Sequence, residues 1–313
     1  MSDAARALQE LKSQEGVPGR RFLDPKVLAR IDDLELVARF VVEGFISGLH
    51  RSPHLGFSTD FAEHRQYMPG DDIRKVDWRV LGRTDRYYVK EYEAETNATV
   101  MFMLDISASM SYTSGGVSKL DYGRFLAASL AWFSARQRDR IGLVLFDDDV
   151  VEWVPPSTRH LQTILHRLDK VPAGGRGSLS QPIYKIVERL TRRGIVVLIS
   201  DFYEEPDKVR DAVGLLRAGG SDVLAFHLLD PAELKFPFEA AATFEDLESG
   251  DRVPVVPEDL RDRYRDLVRG HLAALSGHMA ATRVDYEMLD TNEPLDFALH
   301  AYLARRHELR RTR

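Results

Sequence analysis

Cysteine is absent from the 313-residue chain. Without a thiol the protein has no disulfide, no cysteine nucleophile, no iron–sulfur cluster and no cysteine-based zinc site. Long apolar runs are also missing, since no stretch approaches the roughly 18 uninterrupted apolar residues of a transmembrane helix. The first residues lack the apolar core of a signal peptide. We therefore expect a cytoplasmic protein that does not insert into a membrane.

A strong excess of charge of one sign is missing as well. The formal net charge is −6, and 29% of the residues are charged against 44% that are hydrophobic. This balance is typical of a globular protein. It gives no electrostatic reason for binding nucleic acid or an anionic membrane surface, so neither is expected as a partner.

The most informative stretch that is present is an apolar run ending at Leu104, followed by Asp105-Ile106-Ser107-Ala108-Ser109. Such a short run predicts a strand buried on both faces of a parallel sheet. Alternate side chains of extended backbone point the same way. The side chains of Asp105, Ser107 and Ser109 are therefore expected to converge beyond the strand, at the edge where open α/β sheets bind ligands.

One carboxylate and two hydroxyls favour a hard cation, namely Mg²⁺, Ca²⁺ or Mn²⁺. A second apolar run, over residues 195–199, ends in Ser200 and Asp201. If the two strands are parallel neighbours, Asp105 and Asp201 face one cleft and can share the cation. The alternative is that Ser107 and Ser109 only cap the following loop or helix.

The order of the predicted elements indicates the fold class. Strands alternate with helices over residues 99–230, which predicts a doubly wound α/β fold with a mostly parallel sheet. Asp147-Asp148-Asp149 lies between two strands, and a hairpin turn is preferred there to a metal cluster because turns favour aspartate. Proline at positions 155 and 156 is expected to end the second strand of that hairpin. A further hairpin over residues 244–256 and a long helix over residues 258–281 follow.

Residues 44–98 form a different kind of segment. Acidic and basic residues are closely interleaved around Pro69-Gly70-Asp71-Asp72, a turn in which proline fixes φ and glycine allows positive φ. Tyr88, Lys90 and Tyr92 alternate with other residue types, which predicts an exposed or edge strand.

These motifs resemble the bacterial and archaeal family called domain of unknown function 58. The positions that match its pattern are Glu63, Arg65, Tyr67, Pro69, Gly70, Asp71, Asp72, Arg74, Asp77 and Trp78, followed by the Asp-x-Ser-x-Ser motif at 105–109. The resemblance covers roughly residues 40–300 and implies a von Willebrand factor A-like domain. Together with the pattern along the chain, it predicts a tail and helix over residues 1–43, a β module over 44–98 packed on the main domain, and the von Willebrand factor A-like domain with C-terminal helices over 99–313.

The resemblance further implies a metal-ion-dependent adhesion site. The motif at 105–109 matches the first part of such a site, and Asp201 matches its later aspartate, although Phe202 stands where glycine is usual. The threonine of such a site should fall in the loop over residues 174–180, which has none. Ser178 could supply the hydroxyl, and Gly177 is an equally good match in position.

The expected function is a non-enzymatic adaptor. A Mg²⁺ ion with few protein ligands keeps an open coordination position, which an Asp or Glu of a partner could fill. The resemblance implies a MoxR-type AAA+ ATPase as partner, with a client protein, in the assembly or maturation of complexes. The alternative is a metal-dependent phosphoester hydrolase with Asp105 and Asp201 as ligands and His227 or Asp71 as base.

Overall fold

The structure is a computed structural model. It describes residues 24–49, 64–66, 87–90, 98–190 and 193–311. The Pro69-Gly70-Asp71-Asp72 turn, and with it the candidate base Asp71, lies outside the described residues.

The elements alternate along the chain as predicted. The helices are α1 (Pro25–Leu28), α2 (Leu34–Leu49), α3 (Lys119–Arg136), α4 (Leu161–Lys170), α5 (Ser180–Arg189), α6 (Pro206–Ala218), α7 (Pro231–Lys235), α8 (Pro257–Ala281) and α9 (Asp296–Arg311). The strands are β1 (His64–Gln66), β2 (Tyr88–Lys90), β3 (Thr99–Asp105), β4 (Arg140–Phe146), β5 (Val150–Ser157), β6 (Ile195–Ser200), β7 (Asp222–Leu229), β8 (Ala242–Glu245), β9 (Arg252–Val255) and β10 (Asp285–Asp290).

A six-stranded sheet lies at the centre of the fold, in the order β10–β7–β6–β3–β4–β5. Every neighbouring pair is parallel except β4 and β5, which form the predicted antiparallel hairpin. The mostly parallel sheet confirms the predicted α/β class. Because β3 lies between β6 and β4, the end of β3 is flanked by strand ends on both sides.

Strand β5 runs further than the sequence predicts. Pro155 and Pro156 were expected to end it, yet it continues to Ser157. The reason is its place at the edge of the sheet. A proline there has no neighbour on its outer side to which a backbone N–H would donate, so the ladder tolerates it.

Helices cover both faces of the sheet, and each face has its own apolar core. On one face α3 packs with Leu126 and Leu130 inward, and Val37 and Phe45 of α2 belong to the same buried cluster. On the other face Ile183 and the buried residues of α6 and α8 pack against the sheet. Helix α2 thus crosses residue 43, the predicted boundary, and contributes to the core of the main domain.

Two small antiparallel sheets accompany the central one. Strand β2 lies within the segment predicted as an exposed strand and pairs with β1, His64 opposite Lys90. Strands β8 and β9 form the predicted second hairpin, Ala242 opposite Val255. Within the described ranges, no helix combines the length and the apolar character needed to cross a membrane.

Candidate cation site at the carboxyl edge of the sheet

The two predicted aspartates lie at adjacent strand ends. Strands β3 and β6 are parallel neighbours, with Leu104 opposite Ile199. Asp105 is the last residue of β3, Asp201 follows β6, and both are buried. The hydroxyl of Ser200 donates to Asp105 Oδ2 at 2.6 Å and so joins the two strand ends.

The serines of the motif reach Asp105 through a turn. Beyond β3 the chain enters a 3₁₀ turn over Ala108–Ser111, so the backbone does not stay extended. Asp105 Oδ1 accepts a hydrogen bond from the Ser107 amide at 2.9 Å, and the hydroxyl oxygens of Ser107 and Ser109 lie 3.1 Å apart. Ser107 occupies the N-cap position of the turn but makes no side-chain capping bond, so its hydroxyl is directed to Ser109 instead.

The Asp105 carboxyl group is poorly compensated. Burial raises its pKa the most, and the charge of Asp201 adds to the rise, so that the pKa is about 7. The hydrogen bonds from Ser200 and Ser107 act in the other direction and lower the pKa. These donors are neutral, and they do not offset the loss of solvation. A proton or a cation at this carboxyl group would relieve the unfavourable charge.

Asp201 has a different environment because Lys119 pairs with it. Lys119 Nζ lies 2.7 Å from Asp201 Oδ2 and 2.8 Å from Glu233 Oε1, and the lysine side chain is 0% exposed. Burial alone would lower the lysine pKa, but Asp201 and Glu233 outweigh it and raise the pKa, so the ammonium stays charged. Asp201 is predicted to be a cation ligand, but one of its carboxylate oxygens is bound by the Lys119 ammonium.

The sequence interpretation missed Lys119 and Glu233, although each leaves a signal. Lys119 is the first residue of α3, and the positive end of the helix dipole disfavours a cation there. Asp230 and Glu233 have the spacing of a capping box, which the structure contains at the start of α7. A lysine at this unfavourable position of a helix indicates a nearby carboxylate. The sequence does not show that the carboxylate is Asp201, which lies 82 positions further along the chain.

The loop over residues 174–178 reaches the serines at Gly177. The Gly174 amide donates to Ile106 O at 2.8 Å and the Ala108 amide to Gly175 O at 3.0 Å, which fixes the loop beside the end of β3. A Cβ built on Gly177 would lie 3.3 Å from Ser107 Oγ. The Ser178 amide donates to Asp147 O at 3.2 Å. Of the two positions matched to the missing threonine, Gly177 is the one shown to face Ser107.

His227, the candidate base, lies on β7 inside the protein. Its side chain is 0% exposed, and its Nδ1 atom lies 2.6 Å from the hydroxyl oxygen of Tyr286. Burial lowers its pKa to about 3. The neutral ring is therefore enclosed, and it does not face the solvent from which a substrate would arrive.

A cleft of about 350 Å³ lies beside the turn that carries Ser109. Its lining residues are Ser109, Tyr112, Tyr203, Glu233 and four residues of the β8–β9 hairpin, Glu245, Asp246, Leu247 and Glu248. The described part of the chain contains no group of three His, Cys, Asp or Glu side chains that could hold a metal. What the fold assembles is one poorly compensated carboxyl group with two hydroxyls, which suits a hard cation that retains several waters.

Polar side chains cluster at the carboxyl edge of this mostly parallel sheet, the edge at which open α/β proteins bind their ligands. The family model described as "Protein of unknown function DUF58" matches residues 63–274, so the chain belongs to this family, as predicted. The uncharacterized protein Rv1480 of Mycobacterium tuberculosis is 30% identical over 256 residues, which cover 80% of each chain. The magnesium-chelatase 67 kDa subunit of Heliobacterium mobile is 24% identical over 112 residues, covering 36% of this chain and 16% of that subunit.

Solved structures align with parts of the chain. BatB from Bacteroides thetaiotaomicron has 16% identity and a TM-score of 0.47, covering 67% of this chain and 98% of its own. The von Willebrand factor A domain of SpRpn10 has 12% identity and a TM-score of 0.35, and the alignment covers 42% of this chain and 76% of that domain. Similarities of this size concern the fold alone.

Proposed function

We propose that this protein is a non-enzymatic interaction module that binds a carboxylate of a partner through a hard cation held by Asp105, Ser107 and Ser109. The observation that carries the proposal is the buried Asp105 carboxyl group, whose pKa is raised to about 7, beside two hydroxyl oxygens 3.1 Å apart. An uncompensated acid next to neutral oxygens is the environment that a cation stabilises.

Mg²⁺ is the proposed ion, with Ca²⁺ or Mn²⁺ as substitutes, because all the donors are oxygen atoms. Such an ion, when bound, supplies positive charge and coordination positions that the protein leaves to water or to a partner. Asp105, Ser107 and Ser109 would hold it, while Asp201, with one oxygen on Lys119, adds negative charge beside them. Ser178 is left out of this set because position 177 faces Ser107.

The proposed partner is a MoxR-type AAA+ ATPase acting with a client protein in complex assembly or maturation. Family membership supports this partner. The buried state of His227 supports an adaptor over the hydrolase, because the one candidate base within the described residues does not reach the cleft.

Affinity capture from native lysate tests the proposal. The immobilised protein should retain an AAA+ ATPase in Mg²⁺ and release it in EDTA, and Asp105→Ala should not retain it. Ser111→Ala is the matched control, because this serine lies in the same turn but its hydroxyl donates to Ala108 O. Retention that is unchanged in EDTA and in Asp105→Ala would overturn the proposal. Phosphoesterase turnover with Mg²⁺ or Mn²⁺ that disappears in Asp201→Ala would favour the hydrolase instead.

A further inference from the structure

A carboxylate from the β8–β9 hairpin lies beside the serines of the cation site. A Cβ built on Gly177 would lie 3.0 Å from Glu248 Oε1 and 3.3 Å from Ser107 Oγ. Glu248 and Ser107 therefore approach the same face of Gly177. Glu248 and Ser109 also line the same cleft.

The hairpin turn holds Glu248 in this position. Asp246 Oδ1 accepts a hydrogen bond from the Glu248 amide at 2.8 Å, and the Gly250 amide donates to Asp246 O at 2.8 Å. Below the turn, the ring of Phe244 stacks on Phe236 and contacts the edge of Phe238. The turn is thus anchored to an aromatic cluster, and Glu248 is its one half-buried residue while residues 245–247, 249 and 250 are exposed.

Glu248 and its hairpin neighbour Glu245 differ in their ion-pair partners. Among the residues that the structure describes, no basic side chain forms an ion pair with the Glu248 carboxylate, whereas Glu245 pairs with Arg252 at 2.9 Å. Glu248 is one of the groups that raise the pKa of Glu204, although burial contributes most to that rise. The guanidinium of Arg176 acts on the turn neighbour Asp246, whose pKa it helps to lower. A half-buried carboxylate that faces hydroxyls and another acid is best stabilised by a cation.

We infer that Glu248 is a further ligand of the cation proposed at Asp105, Ser107 and Ser109, contributed by the hairpin across the cleft. The inference rests on the proposed function. Gly177 permits it, because a Cβ at this position would lie within 3.3 Å of both the Ser107 hydroxyl and the Glu248 carboxylate. Four oxygen ligands leave positions of an octahedral ion open, so a partner's carboxylate can still bind.

Calorimetric titration of the full chain with Mn²⁺ tests this role. Glu248→Gln keeps the size of the side chain and removes its charge, and it should raise the Mn²⁺ dissociation constant by about tenfold or more, since affinity follows the number of charged ligands. Glu245→Gln is the matched control on the same hairpin and should leave the dissociation constant unchanged. Mn²⁺ affinity of Glu248→Gln equal to that of wild type would overturn the assignment.

Gly177→Ala provides a second test in which the carboxylate is kept but displaced. It should also weaken Mn²⁺ binding, and circular dichroism melting should show that the variants remain folded. The outcomes separate the two proposals. A wild-type chain that binds no Mn²⁺ overturns the cation site itself, whereas binding that is lost in Asp105→Ala but kept in Glu248→Gln and Gly177→Ala overturns only the role of Glu248.

Discussion

Lys119 Nζ lies 2.7 Å from Asp201 Oδ2, and both side chains are buried. The ion pair connects the first residue of α3 to the end of β6, and Glu233 at 2.8 Å joins α7 to the same ammonium. One strand-end aspartate is therefore paired with a cation of the chain itself, while its neighbour Asp105 accepts hydrogen bonds from the neutral donors Ser200 and Ser107. This asymmetry makes Asp105, more than Asp201, the expected cation ligand.

Replacing Lys119 by methionine should destabilise the protein strongly. The variant keeps an apolar side chain of similar length but leaves the buried Asp201 and the partly buried Glu233 without their cation. Removing one partner of a buried pair typically costs about 3–5 kcal/mol. Urea unfolding should show a loss of this order.

The control for this change is Lys208→Met. Lys208 pairs with Glu205 at 3.4 Å, and both side chains are more than half exposed. Exposed pairs contribute at most about 1 kcal/mol, so this variant should unfold almost as wild type does. Equal stability of Lys119→Met and Lys208→Met would contradict the account. Adding Asp201→Asn to Lys119→Met should recover part of the loss, because it removes one of the two orphaned charges.

The sequence predicts the positions of Asp105 and Asp201 because local patterns carry that information. Short apolar runs identify β3 and β6, and parallel packing then places their ends together. Lys119 and Glu248 could not be predicted in the same way. One comes from the start of a helix and the other from a hairpin turn, and only tertiary packing brings these elements near the end of β3.

Gly123 shows a further constraint that the sequence pattern hides. It lies in α3, and a Cβ there would come within 2.8 Å of Leu104 Cδ1 and 3.4 Å of Leu228 Cδ1. The glycine thus lets α3 lie close to the strands that carry the site. Gly123→Ala should destabilise the protein, because overpacking against the fully buried Leu104, which costs about 1–3 kcal/mol, outweighs the gain in helix propensity of about 1 kcal/mol.

Gly270→Ala is the control for the gain in helix propensity. Gly270 lies in the exposed part of α8, and a Cβ there would meet nothing within 4 Å. This substitution should stabilise the protein by about 0.5–1 kcal/mol through helix propensity alone. Thermal unfolding should therefore move in opposite directions for the two variants, and a higher melting temperature for Gly123→Ala than for Gly270→Ala would contradict the packing argument.

His227 should make the protein lose stability in mild acid. Burial lowers its folded pKa to about 3, below the value of roughly 6.5 for an unfolded chain. The unfolded state therefore binds the proton more readily, and the contribution of neutral His227 is present above about pH 6.5 and lost below it. Between pH 7 and pH 5 the loss should be about 2 kcal/mol. His227→Gln should remove this part of the pH dependence of unfolding, and an identical pH dependence in wild type and variant would contradict it.

Asp105 should change the stability of the folded state with pH in the opposite direction. Its folded pKa of about 7 lies above the roughly 3.9 of an unfolded chain, so the folded state holds the proton more tightly and stability falls as the pH rises from 4 through 7. When the pH is raised from 5 to 8 in EDTA, the free energy of unfolding of Asp105→Asn should therefore increase relative to that of wild type by about 2–3 kcal/mol. Urea unfolding of both proteins at the two pH values measures this difference.

Mg²⁺ provides the control for the Asp105 prediction. At pH 8 it should raise the melting temperature of wild type, because an ion that binds only the folded state stabilises it in proportion to the logarithm of its concentration above the dissociation constant. Asp105→Asn should show little response, since the charge that attracts the ion is gone. A stability difference that does not change with pH in EDTA would contradict the raised pKa. An equal response of both proteins to Mg²⁺ would place the ion somewhere other than Asp105.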